Sequence, residues 1–200
     1  MKKIIITLSL VSFLSSNVTA IAQDVASSKD NNPIFDYSER YLNNTDSIPD
    51  YEAKAEKLII TGTIYQSDGK TPAKDVILYI FQPDENGNYN LKRDANRKRY
   101  VYHRAWIKTD ADGKYTFYTF MPGKLIRSKE LKQIRRIIKE PGKDAYDMAP
   151  FFFNDDPLIP DLTLACRAEA VKSMLRINEK DGVYTSTKDI KLSKSTTTEL

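Results

Sequence analysis

Tyr89 is the first residue to weigh as chemistry, because of where it falls. An alternating apolar run, Val76, Leu78 and Ile80, stops at Pro83-Asp84-Glu85-Asn86-Gly87-Asn88, and the chain re-enters at Tyr89. That pattern reads as a strand, a tight loop and a second extended segment. A tyrosine held just past such a loop is either a packed aromatic or a phenolate aimed at a metal. Other reactive side chains are few: His103 is the only histidine and Cys166 the only cysteine. A serine triad would have to use His103, and there is no Gly-x-Ser-x-Gly elbow to go with it. One Cys and one His cannot make a zinc cluster, and no glycine-rich loop is present to cradle phosphate. Cys166 has no second cysteine to pair with, and a nucleophilic thiol would need a base that only His103 could supply. The turns Asp110-Ala111-Asp112-Gly113 and Asn154-Asp155-Asp156 lack the glutamate-terminated ligand run of a calcium loop, so they are expected to be ordinary turns.

The elements that must hold Tyr89 follow from the pattern around it. Residues 1–22 read as a cleaved signal peptide. Lys2-Lys3 is a basic start, Ile4 to Leu14 an apolar core too short to span a bilayer, and Ala20-Ile21-Ala22 a small-x-small cleavage pattern, with Val18-Thr19-Ala20 as a second option. The expected destination is periplasmic or extracellular, with no transmembrane segment. Lys2 and Lys3 are the only charges in that leader, so the formal charge of +4 falls by two on its removal. So small an excess gives no reason to expect nucleic acid as a partner. Residues 23–56 form a polar arm, either wrapping the domain through Ile34-Phe35 and Tyr41-Leu42 or partly disordered.

From residue 57 to 193 the pattern is that of an all-β domain, before a polar tail at 194–200. Strands are expected at Leu58–Tyr65, Val76–Phe81, Tyr100–Thr109 and Tyr115–Phe120, with turns at Ser67–Lys70 and Asp110–Gly113. Phe151–Phe153 precedes another turn, and Leu162–Val171 is a short helix or an irregular link. The close is expected to be a hairpin, Ser173–Ile177 against Val183–Tyr184 and on to Leu192. Lys124 to Lys139 is ambiguous. Leu131, Ile134, Ile137 and Ile138 are at helical spacing, Ser128 could cap a helix, and seven cations occupy the other positions. Short strands at this spacing, with turns between them, read as a sandwich.

The order of these features resembles the intradiol ring-cleavage dioxygenases, the protocatechuate 3,4-dioxygenase and catechol 1,2-dioxygenase type. The residues that carry the likeness are Gly62, Asp68-Gly69, Pro72 and Phe81-Gln82-x-Asp84-x-x-Gly87-x-Tyr89. They continue with Thr109-Asp110-x-x-Gly113-x-Tyr115-x-Phe117-x-Thr119-x-x-Pro122-Gly123 and, in the last hairpin, Thr187-Lys188-Asp189-Ile190. The likeness runs from about Leu58 to Leu192, and Phe81 stands where the family usually has Trp. It implies an antiparallel β-sandwich of the intradiol dioxygenase type, holding Fe(III) through two Tyr and two His for attack of O₂ on a bound catecholate.

Carried across, Tyr89 matches the first tyrosine ligand. The second falls on Leu125, the His-x-His pair on Gln133 and Arg135, and the family's Arg on Glu130. The resemblance asks for a strand over Gln133–Ile138, and that is the expectation for the ambiguous stretch. Leu125 cannot ligate, Gln133 is a weak donor, and Arg135 stays cationic and would repel Fe(III). The expectation is therefore an exported sandwich with no cofactor and no ring cleavage, serving as a binding or structural protein. Its pocket would be lined by Tyr89, Tyr100, Tyr102, His103, Gln133 and Arg135. The partner would be a small aromatic or polar ligand or another protein, with a homo-oligomer plausible from the resemblance. The alternative keeps Fe(III) on Tyr89 with unconventional ligands among His103, Gln133, Tyr100 and Tyr102. A purely structural sandwich of the transthyretin-like or adhesion kind is the third class.

Overall fold

The computed structural model describes residues 31–37, 41–124, 129–161 and 163–193. The signal-peptide reading, Leu125 and the polar tail lie outside the described residues. Two sheets build the fold. In the first, strands β1 (Thr45–Ser47), β7 (Lys114–Phe120), β2 (Lys57–Tyr65), β12 (Val183–Thr187) and β11 (Asn178–Lys180) lie side by side, and β13 (Ile190–Lys191) continues along β2. The second runs β10 (Met174–Leu175), β9 (Tyr146–Phe153), β8 (Gln133–Lys139), β3 (Ile77–Phe81) and β6 (Arg104–Lys108). A small hairpin, β4 (Leu91–Arg93) with β5 (Arg99–Val101), stands apart, and the helix α1 (Leu164–Lys172) lies between β9 and β10 in the chain.

Alternation in the central strands explains how the sheets meet. Leu58, Ile60 and Ile64 of β2 and Phe117 of β7 share one core with Leu78 and Ile80 of β3, Ile134 and Ile138 of β8, and Phe151 and Phe153 of β9. All of these are fully buried, and each contributes about 1.5–3 kcal/mol by leaving water. A second cluster, Tyr79, Trp106 and Ile137, lies on the opposite face of the second sheet, and the arm covers it with Ile34. Asn32 caps the short 3-10 turn Pro33–Phe35 by accepting from the Ile34 N–H, and the Trp106 indole donates to the Pro33 carbonyl at 3.3 Å. Leu42 packs here as well, whereas Tyr41 is 91% exposed.

The ambiguous basic stretch is a strand where it is paired. β8 is antiparallel to both β3 and β9, with Ile137 opposite Tyr79 and Ile134 opposite Phe151. Its helical spacing has a simple cause. Ile134 and Ile138 face the main core and Ile137 the second cluster, so a strand covered on both faces loses the period of two.

Three expectations need correction. Tyr100–Thr109 is not one strand. Tyr102 N–H donates to the Asn90 carbonyl while the His103 carbonyl accepts from Gln82, so the two halves pair in different directions. The last hairpin is also shorter: β11 and β12 form it across Asp181-Gly182, both at positive φ, while β10 crosses to pair parallel with β9. The arm, finally, contributes a strand, because β1 pairs parallel with β7 and Asp46 accepts from the Trp106 backbone N–H.

Candidate functional site

Tyr89 is positioned by a turn that its own sequence closes. Asp84 Oδ1 accepts from the backbone N–H of Asn86 at 2.9 Å and of Asn88 at 2.8 Å, and Gly87 takes φ 85°. Pro122-Gly123 is seated against this turn, with Gly123 N–H donating to the Asp84 carbonyl at 2.8 Å. A Cβ on Gly123 would collide with the Glu85 carbonyl and the Gly87 amide, so only glycine permits this approach. Behind the turn Gln82 is fully buried. Its amide donates to the Phe120 carbonyl at 3.0 Å and accepts from Thr119 Oγ1 at 2.6 Å, tying the end of β3 to the end of β7.

The result is a cavity of about 210 Å³ whose lining includes Pro83, Tyr89, Gly123, Lys124, Glu130 and Gln133. Gln133 Nε2 reaches Glu130 Oε2 at 3.3 Å. Tyr89 is 37% exposed, its ring centre 6.3 Å from that of Phe81. Burial raises the Tyr89 phenol above its ordinary range, the Arg135 charge lowers it and Glu130 raises it. Arg135 is exposed on the same strand, with its guanidinium 5.9 Å from the centre of the Phe81 ring. Glu130 and Lys124 thus join Tyr89 and Gln133, and their proximity depends on two loops that sequence spacing does not bring together.

The other pocket candidates lie elsewhere. Tyr100 and Tyr102 line a separate depression of about 300 Å³ with Asp36, Arg104 and Trp106. There Tyr102 donates to Asp50 at 3.1 Å, and the Arg104 guanidinium sits 3.8 Å from the Tyr100 ring centre. His103 is 3% exposed, edge-on to Phe120 at 5.0 Å, and its buried Nδ1 has no hydrogen-bond partner among the described residues. The six residues therefore do not form one pocket. Tyr102 and His103 stay in ring contact at 5.3 Å, but the break between β5 and β6 leaves Tyr102 on the Tyr100 side while His103 turns in against Phe120.

A ferric ion asks for several anionic or imidazole donors converging on one point. Here one protonated phenol stands beside an amide already bonded to a carboxylate, with a guanidinium nearby, and the only imidazole is buried against Phe120. The described residues at these positions do not fit Fe(III). The acidic turns commit their carboxylates to hydrogen bonds within the fold. Asp110 Oδ1 accepts from the N–H groups of Asp112 and Lys114, and Asp156 from those of Lys132 and Leu158.

Solved structures with this architecture include intradiol ring-cleavage dioxygenases. The dioxygenase domain of a dioxygenase–carbohydrate-binding fusion from Streptomyces sp. SirexAA-E superposes with a TM-score of 0.61 at 18% identity, covering 79% of this chain and 96% of that one. An intradiol ring-cleavage dioxygenase from Tetranychus urticae gives 0.60 at 17% identity, over 78% and 89% of the two chains. The 3-chlorocatechol 1,2-dioxygenase from Rhodococcus opacus 1CP gives 0.58 at 19% identity, over 88% and 77%. No family model and no curated protein sequence matches the chain. The fold is that of the intradiol ring-cleavage dioxygenases.

Proposed function

We propose that this protein is an exported binding module that uses the intradiol scaffold without ferric ring cleavage. The observation that carries the reading is the composition of the Tyr89 cavity, where an amide, a carboxylate and a lysine surround a phenol that is protonated at neutral pH. These groups donate and accept hydrogen bonds in a space suited to one small ring, so a small phenolic or polyol ligand fits their chemistry. Export is supported by the leader pattern of residues 1–22. Among the described residues no helix is long and apolar enough to cross a membrane.

The test is purified mature protein titrated with Fe(III) and, separately, with catechol. Iron should give no tyrosinate-to-iron absorption band, and catechol should raise the melting temperature saturably. Tyr89→Phe should weaken that shift by roughly tenfold in affinity, the value of one lost hydrogen bond. Stoichiometric iron with a visible band and a ring-opened product would restore the dioxygenase reading. Absence of any ligand shift would leave a structural or protein-binding module.

A further inference from the structure

Arg136 is the residue that the Tyr89 site does not use. On β8 it points opposite to Gln133 and Arg135, into the gap between the two sheets, and it is 4% exposed. Its Nε and Nη2 donate to the Ala149 carbonyl, Nη2 reaches Ser173 Oγ at 3.1 Å, and the guanidinium lies 3.9 Å from the centre of the Phe151 ring. Among the described residues no carboxylate pairs with it. Burial lowers its pKa to about 10, and it remains charged at neutral pH. A buried guanidinium with only neutral acceptors is costly, and the missing partner is an anion.

The space beside it can hold one. A cleft of about 700 Å³ opens between β9 and the segment running from Thr187 into β13, lined in part by Arg136, Tyr146, Met148, Ser173, Lys188 and Leu192. Its shape comes from a break in pairing. β12 pairs with β2 as far as Thr187 opposite Thr61, and pairing resumes at Ile190 opposite Ile64. Lys188 and Asp189 lie between the two pairings, opposite Gly62 and Thr63. Lys188 gives its N–H to the Thr61 carbonyl and its carbonyl accepts from Tyr115 at 2.6 Å, while Asp189 Oδ1 accepts from Thr63 N–H at 2.8 Å. Gly62 permits this, because a Cβ there would strike the Lys188 carbonyl. The Lys188 ammonium is half-buried, and burial together with the charges of Arg136 and Arg176 holds its pKa below the usual lysine range. Lys172 and Lys191 complete the cationic lining, against Asp147 and Asp189.

We propose that this inter-sheet cleft binds a small organic oxyanion, with its charged end on Arg136 and Lys188 and its apolar body against Met148 and Leu192. A planar guanidinium fork matches carboxylate and phosphate alike, and the volume is that of a small-molecule site. None of the cleft's lining residues belongs to the Tyr89 cavity, so this inference stands apart from the function proposed there.

The experiment is calorimetric titration of the mature chain with benzoate, phenyl phosphate, inorganic phosphate and the neutral analogue benzamide. Saturable binding of benzoate alone assigns a carboxylate ligand, and binding of either phosphate assigns a phosphate one. Benzamide should not bind. Lys188→Gln, at the rim, should weaken the bound anion about tenfold, and Arg136→Met, which fills the space with an apolar chain, should abolish binding. Arg135→Gln, on the other face of β8, should leave it unchanged. Failure of all three anions to bind wild-type protein overturns the proposal, as does equal weakening by Arg135→Gln and Lys188→Gln. Lys188→Gln keeps the test decisive if Arg136→Met does not fold.

Discussion

His103 shows how one buried group sets a pH response. Burial, the largest influence, lowers its pKa from the ordinary 6.5, and Lys54 lowers it further, against the opposing pull of Glu85, Asp50 and Asp84. The folded protein therefore binds this proton less readily than the unfolded chain. The cost to stability appears as pH falls below 6.5 and is complete once pH is below the folded value, so stability rises with pH across that window. His103→Phe, set against the Phe120 ring, should flatten the dependence of the urea midpoint between pH 5 and pH 7.5. A slope unchanged from wild type would place the titrating group elsewhere. Tyr89 shifts the other way: burial raises its phenol pKa from a value at which it is already a hydrogen-bond donor at neutral pH.

Among the described strands, β2 has the most partners. It pairs with β7 on one side and with β12 and then β13 on the other, and Gly62 marks the point where one partner gives way to the next. Gly62→Ala should cost about 3 kcal/mol in urea unfolding, because its Cβ meets both the Lys188 carbonyl and the Tyr115 ring. The displaced Lys188-Asp189 segment should carry the loss of anion binding with it. A stability change below about 0.5 kcal/mol, the range of an ordinary surface substitution, would show that the break between β12 and β13 relaxes freely.

At the scale of the whole molecule, the arm acts as a clasp on the second sheet. Ile34 is fully buried against Tyr79, Trp106 and Ile137, and Lys98 and Arg104 both approach Asp36, at 2.7 and 3.6 Å. Ile34→Ala should lower stability by about 2–4 kcal/mol. Trp106 is the only tryptophan, so its fluorescence should shift to the red as water reaches the indole. An unchanged spectrum would mean that the arm contributes no cover there.

Much of the frame was legible in the residues themselves. The alternation in 58–65 and 76–81, and the glycines at positive φ in Asp68-Gly69 and Asp110–Gly113, fix local strands and turns whatever surrounds them. The Asp84–Gly87 turn before Tyr89 is legible for the same reason, since Asp84 bonds backbone only a few residues away. Partners distant in the chain are a different matter. Sequence could not tell that β10 leaves its hairpin for β9, that Tyr100 and Tyr102 line a depression apart from Tyr89, or that Glu130 meets Gln133 beside Tyr89. Nor could it separate Arg136 from its six cationic neighbours in 124–139, because that depends on which face of β8 looks between the sheets. Local hydrogen bonds and side-chain periodicity are written along the chain, whereas burial of a charge exists only once two sheets close over it.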